Sequence, residues 1–285
     1  MLFERAAIIG VGLIGGSMGL TVRRRGLVGH VTGVARTQAT LDRALAVGAA
    51  DDVTRDAAEA VADADFVYIA TPVRSMPAIM ARIAPHVPDG CLVTDGGSTK
   101  REVLDAASAL PAGVDFVGGH PLAGSEQSGP SAASSDLFAG TVYFLTPVAT
   151  TDASALARMR ELVVGIGARP IEVAPRGHDR MLAGTSHLPH LVAAALCNTV
   201  AHAPDLSQFA GAGLRDTTRI AAGQPEMWRD ILLSNADEVS ASLAHLREGL
   251  EGWEAALANA DGDALMELLE RARAVRERMD EPCDG

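Results

Sequence analysis

The sequence predicts an α/β fold, with a doubly wound parallel sheet over residues 1–174 and an all-helical domain over 175–285. Three observations predict it. An apolar run, Ala6 to Ile9, breaks into Gly10-x-Gly12-x-x-Gly15, and a helical pattern from Ser17 to Arg25 follows at once. Short apolar segments then alternate with helix-period segments, as strand–helix–strand units of a parallel sheet do. After Pro175 the strand signals stop and helical patterns take over. A length of 285 residues fits about two domains.

Each glycine of the opening motif has a physical role. Gly10 allows the tight turn. Gly12 has no Cβ, so a pyrophosphate can approach the backbone that continues through Leu13 and Ile14. Gly15 lets the helix sit close to the strand. The helix N-terminus offers free N–H groups and the positive end of its dipole to phosphates. With a strand before it and a helix after it, the motif predicts a Rossmann-type dinucleotide site rather than a ligand-free glycine turn.

Arg23-Arg24-Arg25 before Gly26 marks a helix C-terminus. The second strand, His30 to Val34, runs into Ala35-Arg36-Thr37. An acid about 20 residues beyond the glycines would hold the ribose 2′-OH of NAD. None stands here. A small residue followed by Arg and Thr suits a 2′-phosphate, which favours NADP. The alternative is that Arg36 stacks on the adenine and that NAD is accepted equally.

Further along, Leu41 to Val47 predicts a helix, Asp51 to Val53 an edge strand and Ala57 to Ala62 a helix. The strand Phe66 to Ala70 ends in Thr71-Pro72, a turn expected beside the cofactor. Ser75 to Ile83 is helical. The strand Cys91 to Thr94 leads into Asp95-Gly96-Gly97-Ser98-Thr99-Lys100 and a helix from Glu102 to Leu110. Three more strand-like pieces follow, at 115–117, 141–145 and 170–173. Between the first two lies His120-Pro121-Leu122-Ala123-Gly124-Ser125-Glu126-Gln127-Ser128-Gly129-Pro130. This segment is too polar and turn-rich to be scaffold alone, and α/β folds place their chemistry in such loops.

In the second half, 178–202 reads as a helix that Pro189 interrupts. His187-Leu188-Pro189-His190 lacks the carboxylate or cysteine that would complete a metal set, so a polar substrate pocket is expected and no metal. Gly211 to Arg219 reads as a glycine-led helix start with Asp216 as its cap. Arg215 and Arg219 share a face, either a solvated basic surface or an anion clamp. From Val239 the apolar residues Leu243, Leu246, Leu250, Trp253 and Leu257 recur at heptad spacing, and Leu265 to Val275 repeats the pattern. Such faces predict a homodimer through this half or an internal helical bundle.

A net charge of −12 disfavours nucleic acid and anionic membranes as partners. No apolar run approaches the roughly 20 residues that span a bilayer. Three scattered cysteines give no disulfide framework, and no leader pattern precedes the first strand, so a cytoplasmic location is expected. Lys100 is the only lysine among 24 basic residues.

Six pieces, in order and at similar spacing, resemble the prephenate/arogenate dehydrogenases of tyrosine biosynthesis. They are Gly10 to Ser17, Asp95 to Lys100, His120 to Gly124, Ser186 to His190, Arg215 to Arg219 and Met227-Trp228-Arg229-Asp230. The resemblance implies a Rossmann domain plus a dimerising helical domain. It also implies oxidative decarboxylation of a cyclohexadienyl substrate with hydride transfer to NAD(P). In it, His120 polarises or deprotonates the ring hydroxyl and Ser98 stands near that hydroxyl. Arg219 pairs with a substrate carboxylate, and His187 and His190 line the substrate pocket. Ser125, Glu126 and Asp216 shape that pocket, with His178 and Trp228 at its edge. Lys100 is expected to fix its loop. No regulatory domain or fused mutase is expected, so any feedback by tyrosine would act at the active site. Prephenate is the favoured substrate. The alternatives are arogenate, 4-amino-4-deoxyprephenate, another hydride transfer on the same plan, and a dinucleotide-binding protein without turnover.

Overall fold

The first strand, β1 (Phe3–Ile9), is apolar and buried from Ala6 to Ile9, where helices cover both faces of the sheet, while Glu4 and Arg5 near its start are exposed. Ala6 and Ile8 join one buried layer, and Ala7 and Ile9 the other, as the two-residue period of a strand requires. The computed structural model describes residues 1–124, 127, 129–202 and 208–279.

In chain order the first half comprises α1 (Leu13–Arg24), β2 (Val28–Val34), α2 (Gln38–Ala46), β3 (Asp52–Thr54), α3 (Ala57–Val61), β4 (Phe66–Ile69), α4 (Met76–Ile83), β5 (Leu92–Asp95), α5 (Arg101–Ala107), β6 (Asp115–Pro121), β7 (Val142–Thr146), α6 (Ala153–Gly165) and β8 (Arg169–Glu172). Helices alone follow: α7 (Pro175–Leu182), α8 (Leu188–Ala201), α9 (Ala212–Thr218), α10 (Pro225–Ser234), α11 (Ala236–Ala258) and α12 (Gly262–Met279).

The strands form one sheet in the order β3-β2-β1-β4-β5-β6-β7-β8. The order reverses between β1 and β4, and there the carboxyl ends of neighbouring strands open a crevice. The expectation of a wholly parallel sheet needs one correction. β7 pairs antiparallel with β6, His120 opposite Phe144, while β8 returns parallel to β7. A parallel neighbour needs a long crossover, usually a helix. Among the described residues of 122–141 there is only a 3₁₀ turn, Pro130–Ala132, whereas α6 supplies the crossover to β8.

That helix is absent from the sequence reading. Its signal is nonetheless local. Asp152 caps it by accepting from the backbone N–H of Ser154 and Ala155, and Ala155, Met159, Leu162 and Val163 form its buried face. A second correction concerns α9. Its N-cap is Gly211, and Asp216 lies inside the helix, exposed.

Contacts divide the chain into two compact units, Met1–Ala236 and Asp237–Gly285. Helices α7 to α10 thus belong to the body that carries the sheet. In the second unit, Leu243, Leu250 and Leu257 are exposed at seven-residue spacing along α11. Among the described residues, no helix is long and apolar enough to cross a membrane.

Candidate functional site

A cavity of about 790 Å³ lies over the carboxyl ends of β1, β4, β5 and β6. Gly12, Leu13 and Ile14 line it from the first turn, Thr71 and Pro72 from the end of β4, Ser98 from the loop after β5, and His120 from the end of β6. Thr185, Ser186, His187, Gln224, Met227 and Trp228 form the facing wall.

The glycine turn fits a dinucleotide's pyrophosphate. Gly10 has φ +100°, and a Cβ there would stand 2.6 Å from the Ala70 carbonyl. A Cβ on Gly15 would stand 2.1 Å from the Gly10 carbonyl, so the helix could not approach the strand. Gly12 faces open space, with nothing within 4 Å of a Cβ position. No side chain caps the N-terminus of α1, which leaves its N–H groups for an anion. Ala35, Arg36 and Thr37 follow β2 outside this cavity. Arg36 is exposed, and Thr37 caps α2 by accepting from the Thr40 N–H at 3.3 Å.

Behind the wall lies a buried polar network centred on Asp95, Lys100 and Asp179. Lys100 pairs with Asp95 and donates to the Gly119 carbonyl at 2.7 Å. Asp95 also accepts from the Gly97 and Gly119 N–H groups, at 2.8 and 3.1 Å. Lys100 therefore ties the loop that carries Ser98 to the strand that carries His120. Asp179 accepts from the backbone N–H of Lys100 and Arg101 at 2.7 and 3.0 Å, from the Arg101 side chain, and from His178 Nδ1 at 2.9 Å. His178 Nε2 lies 2.8 Å from His120 Nδ1. On the far side, Asn235 lies 3.2 Å from His187 Nδ1.

Burial favours neutral imidazoles here. It pushes His120 well below its ordinary value of 6.5, and His178, Lys100 and His187 push the same way. Burial also lowers His187, to about 4. It lowers His178 as well, against the attraction of Asp179. Burial alone would raise the Asp179 carboxyl. The hydrogen bonds from His178, Arg101 and Lys100 outweigh it and hold that carboxyl below 3.8.

The leading segment into His187 is a π-helical turn, Ala183–His187, and Pro189 sits in the first turn of α8 directly after it. The expected interruption at Pro189 is therefore a widened turn, a form frequent at functional sites. His187 Nε2 is buried with no protein partner and belongs to the cavity wall.

The structure thus brings His120, Ser98, His187, Leu13, Ile14, Thr71 and Pro72 to one cavity. His190 stands behind it, its ring stacked on Trp228 with centroids 3.5 Å apart. Arg219 and Asp216 are exposed and do not line it, although Gly223, four residues past Arg219, does. Ser125 and Glu126 lie outside the described residues. His178 is fully buried behind His120 rather than at a pocket edge. Asp179 and Asn235 were absent from the sequence reading. A histidine followed by an aspartate after Pro175 is the only local hint of the former. No described group of three potential ligands is placed to hold a metal.

Two family models match the chain in succession: prephenate dehydrogenase, nucleotide-binding domain, over residues 18–172, and prephenate dehydrogenase, dimerization domain, over 174–271. Prephenate dehydrogenase of Bacillus subtilis is 39% identical over 238 residues, covering 81% of this chain and 64% of the relative, so the chain spans just under two thirds of that protein. Cyclohexadienyl dehydrogenase of Zymomonas mobilis is 34% identical over 280 residues, 96% of each chain. The crystal structure of prephenate dehydrogenase from A. aeolicus, in complex with hydroxyphenyl propionate and NAD+, superposes with a TM-score of 0.91 at 32% identity. It covers 97% of this chain and 98% of that one.

Proposed function

The chain belongs to the prephenate dehydrogenase family, and from that premise we propose that it converts prephenate to 4-hydroxyphenylpyruvate by oxidative decarboxylation, in tyrosine biosynthesis. One observation carries the reading: a neutral, buried imidazole, His120, shares a cavity with a glycine turn built for a dinucleotide. The cofactor, when bound, accepts the hydride from the carbinol carbon of the ring.

The protein's own work is positioning and proton transfer. His120 takes the hydroxyl proton as the carbinol becomes a carbonyl. Loss of carbon dioxide then leaves its bonding electrons in the ring, which aromatises. Ser98 stands on the same wall and orients the hydroxyl. His187 offers a polar nitrogen without a protein partner to a substrate oxygen. By resemblance to the family, Arg219 supplies the guanidinium for a substrate carboxylate from outside the described cavity lining, with Asp216 near it in sequence, and His190 backs Trp228. Gly12, Leu13 and Ile14 hold the pyrophosphate.

The cofactor reading is NADP ahead of NAD, supported by Arg36 and Thr37 where an acid would hold an unphosphorylated ribose. The relative from A. aeolicus carries NAD+ in its complex, which keeps NAD as the second reading. A homodimer through the helical half is supported by the exposed Leu243, Leu250 and Leu257 row and by the matching dimerization-domain model. Arogenate is the second substrate reading, supported by similarity to the arogenate dehydrogenase of Synechocystis, whose crystal structure superposes with a TM-score of 0.83 at 30% identity over 97% of this chain.

Nicotinamide absorbance, followed with prephenate and arogenate against NAD and NADP, tests all four combinations. Reduction fastest with prephenate and NADP is expected. No reduction in any combination would leave a dinucleotide-binding protein without this reaction.

A further inference from the structure

Asp179 touches four donors and is fully buried. Its Oδ1 accepts from the Lys100 N–H and from His178 Nδ1, and its Oδ2 from the backbone and side chain of Arg101. An ionised carboxylate only accepts. The hydrogen between it and His178 therefore belongs to Nδ1. In a neutral ring the other nitrogen, Nε2, is then bare.

That bare nitrogen lies 2.8 Å from His120 Nδ1, close enough only for a hydrogen bond. His120 has to supply the hydrogen, from Nδ1. Its lone pair is left on Nε2, on the ring edge turned from His178. The charged groups packed around the pair are already engaged. Lys100 is held by Asp95 and the Gly119 carbonyl, and the Arg101 side chain by Asp179 and Asn235.

We propose that His178, aligned by Asp179, is a positioning residue that holds His120 in the Nδ1–H tautomer and so keeps a bare Nε2 facing the reacting hydroxyl. The assignment rests on the reading of His120 as proton acceptor. Without His178, the imidazole is free to carry its hydrogen on Nε2, where it would meet the substrate O–H with a donor instead of an acceptor. Fixing the tautomer of a working histidine through its second nitrogen is a general device of active sites.

The test uses the full-length protein with ¹⁵N-labelled histidine, unliganded, at pH 7. Long-range ¹H–¹⁵N spectra distinguish a protonated ring nitrogen from a bare one, and His120→Asn identifies the His120 signals. A protonated Nδ1 and a bare Nε2 on His120 are expected. The reverse pattern overturns the proposal. This readout does not depend on turnover, so it decides the tautomer even if no prephenate or arogenate is consumed.

Two variants supply the kinetic arm. In His178→Asn the amide can still reach Asp179 but stops short of His120. In His178→Gln the longer side chain brings an oxygen to the place of Nε2. His178→Asn is expected to lower kcat by about 10- to 100-fold, part of the usual general-base contribution, with KM within about twofold. His178→Gln is expected to recover at least about a third of that loss on a logarithmic scale. Unchanged kcat in His178→Asn overturns the proposal, as does an equal loss in both variants while His120 keeps its tautomer.

Discussion

Asn235 Nδ2 lies 3.2 Å from His187 Nδ1, and its amide orientation is fixed from both sides. Its Oδ1 accepts from Arg101, and its Nδ2 donates to the Asp179 carbonyl at 2.7 Å. An arginine cannot accept, so the amide cannot be flipped. The second Nδ2 hydrogen points at His187, whose Nδ1 accepts it. His187 therefore carries its own hydrogen on Nε2, toward the cavity. Asn235→Asp keeps the shape but turns that donor into an acceptor. We expect KM for the cyclohexadienyl substrate to rise about tenfold, near 1.4 kcal/mol, with kcat little changed. Steady-state kinetics check it; a loss confined to kcat would move His187 from binding to chemistry.

The pH dependence of catalysis follows from His120. Burial, with His178, Lys100 and His187 alongside, depresses its protonation well below 6.5. A base with a lowered pKa stays bare to lower pH, so the acid limb of kcat/KM is expected below pH 6.5. A limb at or above that value in the wild type points to another group. His120→Asn is expected to lower kcat by about 10² to 10⁴ while dinucleotide affinity, measured by fluorescence, stays close to the wild type.

Folding responds to the same ionisations. An unfolded histidine titrates near its ordinary value of 6.5, whereas folded His120, His178 and His187 protonate lower, His187 at about 4. Below 6.5 the unfolded chain thus binds more protons than the folded one. The contribution is fully present above 6.5 and is lost as pH falls toward the folded values, at up to about 1.4 kcal/mol per pH unit per histidine. Thermal melts should give a lower Tm at pH 5.5 than at pH 7.5. A Tm that is flat between them would contradict the burial of these rings as neutral species.

Lys100 and Asp95 offer a stability test. Lys100→Met leaves a buried carboxylate with only the Gly97 and Gly119 N–H groups. Breaking one side of a buried pair costs about 3–5 kcal/mol, and these two donors place the cost at the lower end. The double variant Asp95→Asn/Lys100→Met should recover much of the loss. Chemical denaturation measures both; equal stability of wild type and Lys100→Met would show that the pair does not hold the loop.

Arg36 separates the two cofactors. Arg36→Ala is expected to weaken NADP by about tenfold or more and NAD by less than about threefold, because one charge-assisted phosphate contact is worth roughly 1.5–3 kcal/mol. Titration of the protein with each dinucleotide reads this directly. A matched loss for both would assign Arg36 to the adenine face.

What could be read beforehand was what chain-local chemistry encodes. The Gly10, Gly12 and Gly15 pattern announces a strand–turn–helix because Gly10 and Gly15 have no room for a side chain, while Gly12 leaves the approach to the backbone open. The apolar strands announce a sheet buried on both faces. The reversal of β7 was not visible, since its apolar run reads the same in either direction. The pairing of His120 with His178 joins residues 58 apart, and no periodicity connects them. Arg215 and Arg219 could be placed on one helical face, but which way that face turns depends on packing. Asp216 looked like a cap because Asp favours that position, yet the extended backbone at Gly211 begins the helix instead.

The π-helical turn at Ala183–His187 also bears on what the chain can tolerate. Such a turn spends one residue more than an α-helical turn, and each residue advances the chain by about 100° around the axis. Excising Gly184 would give a smoother, more regular rod from Pro175 to Ala201. Because the wide turn itself takes up that one extra residue, everything beyond it would keep nearly the same phase, and the change would fall on the turn that presents His187. The extra residue therefore serves the placing of His187 at the cavity wall rather than the continuity of the rod.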